Sequence, residues 1–534
     1  MVPLTRDETS KTRAIERYLV WGALGTFVAS LVVSLARLRY PNYGGDELWF
    51  ATPLATGVAP DLRLFEFEYA GPLKTLLAWP LFSVAGFGIV TVRLFSLALF
   101  VATVMAWCAS AWRRRMPLAA AAALAFFAAH ADLQFFARDD INQPTFHDLV
   151  VLLHFLAFLA IVERGPTLAN SACFLVLSFV DVNDHIRNVW LTNAFVLGFA
   201  VDQATRHGVS WSSFSQALRR GWPIFAGAAV GAAEALYVLV HFASSPGLRA
   251  AEALGDGYGW DARAKDVVRA ILELVSGGRV LSGGYETAST FVALLGGVVL
   301  GLVALVWFTL RGVLRRSEDA DVRLLRVSLV IWACIVVEYA VTRSAKWPWH
   351  CNTLMLFWVV SCALTVEVLW SNRKRALAAI FGLSLFSVFV LNRALLERAI
   401  DGSASYKSGF GLAVWNVQCL DAVRAHLDAH PGDYVLSDWG LGRALALELR
   451  FAPRQGTTWT LHDSGVSDEA LAHLRPEQWT LRAVGAFVTA PDMSDERMGR
   501  LGLRFVPRYG FRDELGRDAY QLGHVVREGA IRRN

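Results

Sequence analysis

IVTVRLFSLALFVATVMAWCASAWRRR, residues 89–115, is a long apolar run stopped by three consecutive arginines. About 20 mostly apolar residues at the helical rise cross a hydrocarbon core. Arg93 is the one charge in the run before Arg113, Arg114 and Arg115. A basic cluster directly after such a run marks the cytoplasmic side of a membrane helix. The pattern repeats in both directions. Comparable runs lie near 18–36, 117–132, 146–163, 167–181, 189–202, 222–242, 289–310, 325–342, 353–370 and 376–393. The expectation is a polytopic α-helical membrane protein with about 11 transmembrane helices. With the N-terminus inside, Arg113-Arg114-Arg115, Arg219-Arg220, Arg311/Arg315/Arg316 and Arg373-Lys374-Arg375 all fall in the cytoplasm. The loops 37–71, 133–145, 182–188, 243–288 and 343–352 then face outward, and so does everything after 394. The run 72–88 is interrupted by Lys74, Pro80, Gly86 and Gly88, so it reads as an interfacial or re-entrant helix.

Composition agrees. The chain has 534 residues, 55% hydrophobic and 18% charged, where soluble domains carry about a quarter charged. The net charge of +5 is spread over short clusters between apolar runs, which argues against a nucleic-acid surface. The first run follows Arg6, Lys11, Arg13 and Arg17 without a small-residue cleavage site, so it reads as a retained helix. The six cysteines lack metal-ligand spacing and read as small core residues.

From about Ser403 the apolar runs stop. Residues 434–438 and 485–489 read as strands, 441–450 and 496–501 as helices, which together predict a soluble α/β domain. The expected division is a membrane domain over 1–395 and a periplasmic α/β domain over 396–534. No Gly-rich phosphate loop or nucleophile elbow occurs in the tail. The string His462-Asp463-Ser464 reads as structural or acceptor-docking, because catalytic triads are not contiguous in sequence.

The outward loops hold most of the chemistry. Tyr43-Gly44-Gly45-Asp46-Glu47 sets two carboxylates side by side at a membrane surface. They can cap a following helix, or one can serve as a general base beside an acceptor hydroxyl. Arg138-Asp139-Asp140 offers a guanidinium for a phosphate and two carboxylates for a divalent ion, or an ion pair capping the next helix. Asp184-His185-Ile186-Arg187 is a dense polar connection between two spans. Lys346-Trp347-Pro348-Trp349-His350 combines cations and aromatic rings, as an anionic head group with a stacked sugar would need, or as an interfacial anchor would. Four such decorations on one side point to a shared cleft. Ionisable groups inside runs, His154, Glu234 and Glu338, keep a transporter or flippase reading open. The absence of internal repeats, the outer-loop clustering and the large tail weigh against it. A non-catalytic scaffold would tolerate replacement of the loop carboxylates.

The order of these motifs resembles a known family. Gly45-Asp46-Glu47 is followed by Glu66-Phe67-Glu68-Tyr69-Ala70-Gly71-Pro72-Leu73-Lys74, and then by Gly88, Arg93 and Ser96 opening the second span. This resembles the membrane glycosyltransferases of the GT-C fold, the protein O-mannosyltransferase and aminoarabinose transferase superfamily, over about 40–165 and 340–370. The aminoarabinose branch has Lys directly before the Pro; here Gly71 precedes Pro72 and the lysine is Lys74. The resemblance implies transfer of a sugar, with inversion, from a polyprenyl-phosphate donor to a glycan, lipid or protein acceptor. It implies Asp46 as base with Glu47 beside it, Arg138 as the ligand of the donor phosphate, and Lys74, Lys346 and His350 as further phosphate contacts. Tyr43, Glu68, Asp139, Asp140, Asp184, His185, Arg187, Trp347 and Trp349 are the candidate substrate contacts. No cofactor is implied. A divalent metal on Asp139 and Asp140 is not expected, although the pair has the chemistry for one. The implied location is a bacterial inner membrane.

Overall fold

The computed structural model describes residues 6–38, 72–139, 144–208, 210–242, 260–284, 286–341, 351–401, 417–437, 441–462, 466–484, 493–512 and 518–527. The first half runs α1 (Arg6–Ala36), α2 (Leu73–Ala85), α3 (Ile89–Arg113), α4 (Pro117–Ala129), α5 (Ala131–Asp139), α6 (Pro144–Arg164), α7 (Leu168–Asp184), α8 (Val189–His207) and α9 (Trp211–Phe242). It continues with α10 (Trp260–Val275), α11 (Arg279–Gly284), α12 (Glu286–Arg316), α13 (Ala320–Val341), α14 (Asn352–Ser371) and α15 (Arg375–Asp401).

Every predicted apolar run lies on a helix. Among the described residues eight helices are long and apolar enough to cross a membrane, and α4–α5 makes a ninth if the bent pair is one span. The remaining two runs form α7 and α8, of 17 and 19 residues. Helix α2, at 13 residues, is too short to cross a bilayer, in keeping with the interruptions in its sequence.

Burial ranks the spans. In α14, 83% of the span window is buried, against 17% in α1, so α14 is the central post and α1 lies on the rim. Trp358 of α14 packs on Trp332 at 5.3 Å, and Trp307 stands 6.5 Å away. Helix α10 packs on α12 through Gly296, where an added Cβ would come within 1.9 Å of the Leu272 carbonyl oxygen. Small residues allow such backbone approach between membrane helices.

The sequence pattern predicts a loop over 133–145 and another over 243–288. The structure instead continues the third run, after a 69° bend, into α5, and sets the amphipathic α10 and α11 inside the second segment. The bend falls at His130. Its freed carbonyls find partners: Arg393 and Ser30 donate to the Ala128 oxygen, and Gln134 Nε2 donates to the Phe127 oxygen at 2.8 Å. A broken helix persists at membrane depth only when these groups are satisfied.

The tail adds α16 (Val417–Ala429), β1 (Asp433–Ser437), α17 (Leu441–Phe451), β2 (Thr458–Leu461), α18 (Asp468–Ala472), β3 (Trp479–Ala483), α19 (Asp495–Arg500), β4 (Leu503–Arg512) and β5 (Asp518–Arg527). The sheet order is β2-β1-β3-β5-β4. Strands β2 and β3 flank β1 in parallel, and β5 runs antiparallel to both β3 and β4. The predicted strand 434–438 and both predicted helices match within a residue. The strand expected at 485–489 lies outside the described residues, as do Asp463 and Ser464. One sheet face buries Tyr434, Leu436 and Leu481 under α16 and α17; the other buries Leu503, Phe505 and Val525 with Leu471 and Met498.

Candidate functional site

Bending at His130 aims α5 across the bundle. Its first turn brings Asp132 to the start of α11, where the N–H groups of Arg279 and Val280 donate to its two oxygens at 2.9 and 2.8 Å. About 9 Å further along the same helix, the buried Arg138 reaches Glu397 of α15 at 3.4 Å. Arg37, just past α1, meets the same carboxylate at 2.9 Å. Arg393, one turn before Glu397, donates to Ser30 at 2.5 Å and lies within electrostatic range of Arg37 and Arg138. Three guanidiniums thus surround one carboxylate. Buried charges hold only with compensation, and a guanidinium fork fits carboxylate and phosphate oxygens alike.

A second polar group spans α6, α7, α8 and α14. His147 Nδ1 lies 2.9 Å from Asp184 Oδ2, and its Nε2 lies 2.6 Å from the Thr353 hydroxyl. A carboxylate on one ring nitrogen fixes the orientation of the other. Deeper in the bundle His154 repeats the arrangement, 2.7 Å from Asp181 and 3.0 Å from Ser178. Asn188 joins the two levels: it donates to the Asp181 carboxylate at 2.8 Å and to its main-chain oxygen at 2.9 Å, and its Nδ2 lies 3.3 Å from His147 Nδ1. Lys74, buried on α2, acts electrostatically on Asp184. Arg187 acts on Tyr339, which also neighbours Arg279 and Cys351. Glu273, fully buried, pairs with Arg279 and accepts from Ser282 and Arg269. These contacts link the ends of α2, α6, α7, α10, α13 and α14 in one polar layer.

Five of the residues singled out in the sequence are described with their contacts. Lys74, Asp184 and Arg187 lie in that layer. Arg138 lies with Arg37, Arg393 and Glu397. His185 accepts the Arg187 N–H at 3.2 Å and closes a short 3-10 turn over Ile186–Asn188. Asp139 ends α5. Tyr43, Asp46, Glu47, Glu68, Asp140, Lys346, Trp347, Trp349 and His350 lie outside the described residues. Among the described residues no three His, Cys, Asp or Glu side chains gather as a metal site. The sequence reading passed over His147, Asp132, Glu273, Arg279, Arg37, Arg393 and Glu397. Charged and imidazole groups inside or bordering apolar runs are the signal that flags several of them.

No family model matches the chain, and no curated protein matches its sequence. Solved structures do match. ArnT from Cupriavidus metallidurans, in the apo state and bound to undecaprenyl phosphate, gives TM-scores of 0.53 in both cases. Identity is 12% and 13%, and each match covers 94% of this chain and 98% of the other. The chain is therefore a multi-pass membrane protein with a GT-C-like fold and a small soluble sheet domain at its C-terminus.

Proposed function

We propose that the protein is an inverting glycosyltransferase that moves a sugar from a polyprenyl-phosphate donor to an acceptor hydroxyl at the periplasmic face of a bacterial inner membrane. The observation that supports this best is the polar layer in a GT-C-like fold, whose solved relative in shape holds undecaprenyl phosphate. In this reading the N-terminus is cytoplasmic, residues 1–395 are the catalytic membrane domain and 396–534 a periplasmic domain.

The acceptor oxygen attacks the anomeric carbon and the bond to the phosphate oxygen breaks on the opposite face. Asp46 takes the acceptor proton as the new bond forms, with Glu47 beside it. The polyprenyl phosphate leaves with the bonding electrons. Its growing negative charge is met by Arg138 and Lys74, with Lys346 and His350 as further contacts. Fixed cations act most strongly where water is excluded, and both Arg138 and Lys74 are buried. Tyr43, Glu68, Asp139, Asp140, Asp184, His185, Arg187, Trp347 and Trp349 contact the sugar or the acceptor. The polyprenyl tail stays in lipid. The acceptor is a glycan, a lipid or a protein hydroxyl.

The test incubates purified protein in lipid nanodiscs with a panel of polyprenyl-phosphate sugars and follows the donors by mass spectrometry. Consumption of one donor with release of polyprenyl phosphate is expected, and Asp46→Asn abolishes it while donor binding persists. A wild-type rate in Asp46→Asn removes Asp46 as the base. Movement of the donor across the bilayer without cleavage favours the flippase instead.

A further inference from the structure

The inward stripe of α2 makes two kinds of contact. Lys74, Thr75, Ala78 and Phe82 are all buried, and their spacing sets them on one helix face. Lys74 acts on Asp184 in the polar layer. About 12 Å along the axis, Phe82 meets Phe451 edge-on, with ring centroids 5.8 Å apart. Phe451 closes α17 of the C-terminal domain. Phe87, just past α2, stacks on the same ring at 5.9 Å and meets Phe82 edge to face at 5.3 Å. Ala78, Phe82 and Val92 share one buried cluster with Val423, Leu436 and Leu445, so the domain's core continues into this helix. The opposite face of α2 is apolar and uncovered, with Leu77 55% and Val84 90% exposed.

A helix this short is marginal by itself and takes its position from tertiary contacts. The geometry points to a positioning role for the C-terminal domain: through Phe451 it holds α2 in place and so sets where Lys74 stands relative to the donor phosphate. The inference rests on Lys74 as a phosphate ligand. Lys74 is a point charge on a buried stem, so its reach depends on where its Cα stands. Phe451 touches no reacting atom and acts through α2.

The experiment uses the full chain in nanodiscs and measures hydrogen exchange over 73–85 and binding of undecaprenyl phosphate. Phe451→Ala is expected to speed exchange in α2 and weaken binding about 10-fold, the loss that about 1.4 kcal/mol of ring contact represents. Phe451→Leu restores most of both. Phe87→Ala, which leaves the domain's own core intact, gives the same direction and stands in if Phe451→Ala does not fold. The double variant Lys74→Ala/Phe451→Ala binds no more weakly than Lys74→Ala alone. Unchanged exchange over 73–85 in both Phe451→Ala and Phe87→Ala overturns the clamp. Faster exchange with unaltered binding, while Lys74→Ala binds weakly, overturns the coupling. If Lys74→Ala itself binds normally, the phosphate reading of Lys74 fails first and carries the inference down with it.

Discussion

At the end of the bundle where α3 runs into its arginines, charges close off helices. Arg114 meets Glu163 at 2.6 and 3.0 Å near the surface. Arg326 donates to the Leu314 and Ser317 carbonyls, and Lys374 to the Thr309 carbonyl. Glu367 accepts the Leu118 and Ala119 N–H groups at the start of α4, both at 2.9 Å. Arg326 and Glu367 satisfy backbone groups at helix ends, Arg114 meets a neighbouring surface charge, and Lys374 reaches a carbonyl inside α12. At the opposite end, Arg37, Arg138 and Arg393 surround Glu397, and His147 is held between Asp184 and Thr353. Those groups go beyond what helix ends require. Charge at the first end closes helices or pairs one helix with a neighbour, whereas charge at the second is gathered from several helices around shared side chains, the arrangement expected of a functional site.

Variants at the two ends should therefore fail in different ways. The largest effect is expected from Asp46→Asn, a loss of about 10³-fold in kcat with donor binding kept, since a positioned base supplies that order of acceleration. Steady-state kinetics with a defined donor measure it. Next is Arg323→Ala at the first end. It strips the bidentate partner, at 3.0 Å from both oxygens, from the fully buried Asp202. Breaking such a pair costs about 3 kcal/mol, read as a fall in Tm, while donor KM stays put. Arg138→Ala should lower kcat/KM about 100-fold, a typical loss for one charge-stabilising donor, and weaken polyprenyl-phosphate binding too. If Arg323→Ala and Arg138→Ala prove alike in kinetics, the contrast between the ends collapses.

Two smaller effects sharpen it. His426 in the C-terminal domain is held below the ordinary histidine value by burial and then by the neighbouring His430. Its contribution to stability is full above the unfolded value of about 6.5. It declines as the pH falls from there through the lower folded value, because the unfolded chain takes up the proton first. The unfolding temperature of the domain, followed by exchange over the sheet from pH 8 to 5, should drop, and His426→Phe should flatten part of that drop. The smallest change is Arg114→Ala, about 0.5 kcal/mol for a partly exposed pair, with activity intact.

Much of the membrane fold was legible because apolar length and flanking charge act locally. Helices α3, α6, α12, α14 and α15 follow directly from their runs. In the tail, β1 and α17 showed through as a short β-branched and aromatic run followed by a helical pattern. The β4–β5 hairpin did not, because β4 carries Pro507 and a register shift beside it that break the alternation. The candidate site was legible in part. Arg138, Asp184 and Arg187 stood out as polar residues in expected loops, and Lys74 as a charge interrupting an apolar run. His147 looked like one more residue at the head of an apolar helix, and its partners Asp184 and Thr353 lie 37 and 206 positions away.

Sequence by itself determined that this chain lives in a membrane, which segments form its apolar helices, and that a separate α/β domain follows. Those outcomes depend on the solvation of one helix or strand at a time, which composition and period encode. Tertiary structure alone decided that the third run bends at His130, that Arg37 and Arg138 share Glu397 with Arg393 nearby, and that the C-terminal domain grips α2 through Phe451. Each of these joins groups from distant helices. Helical period records which face is buried, but not which face of which neighbour it meets.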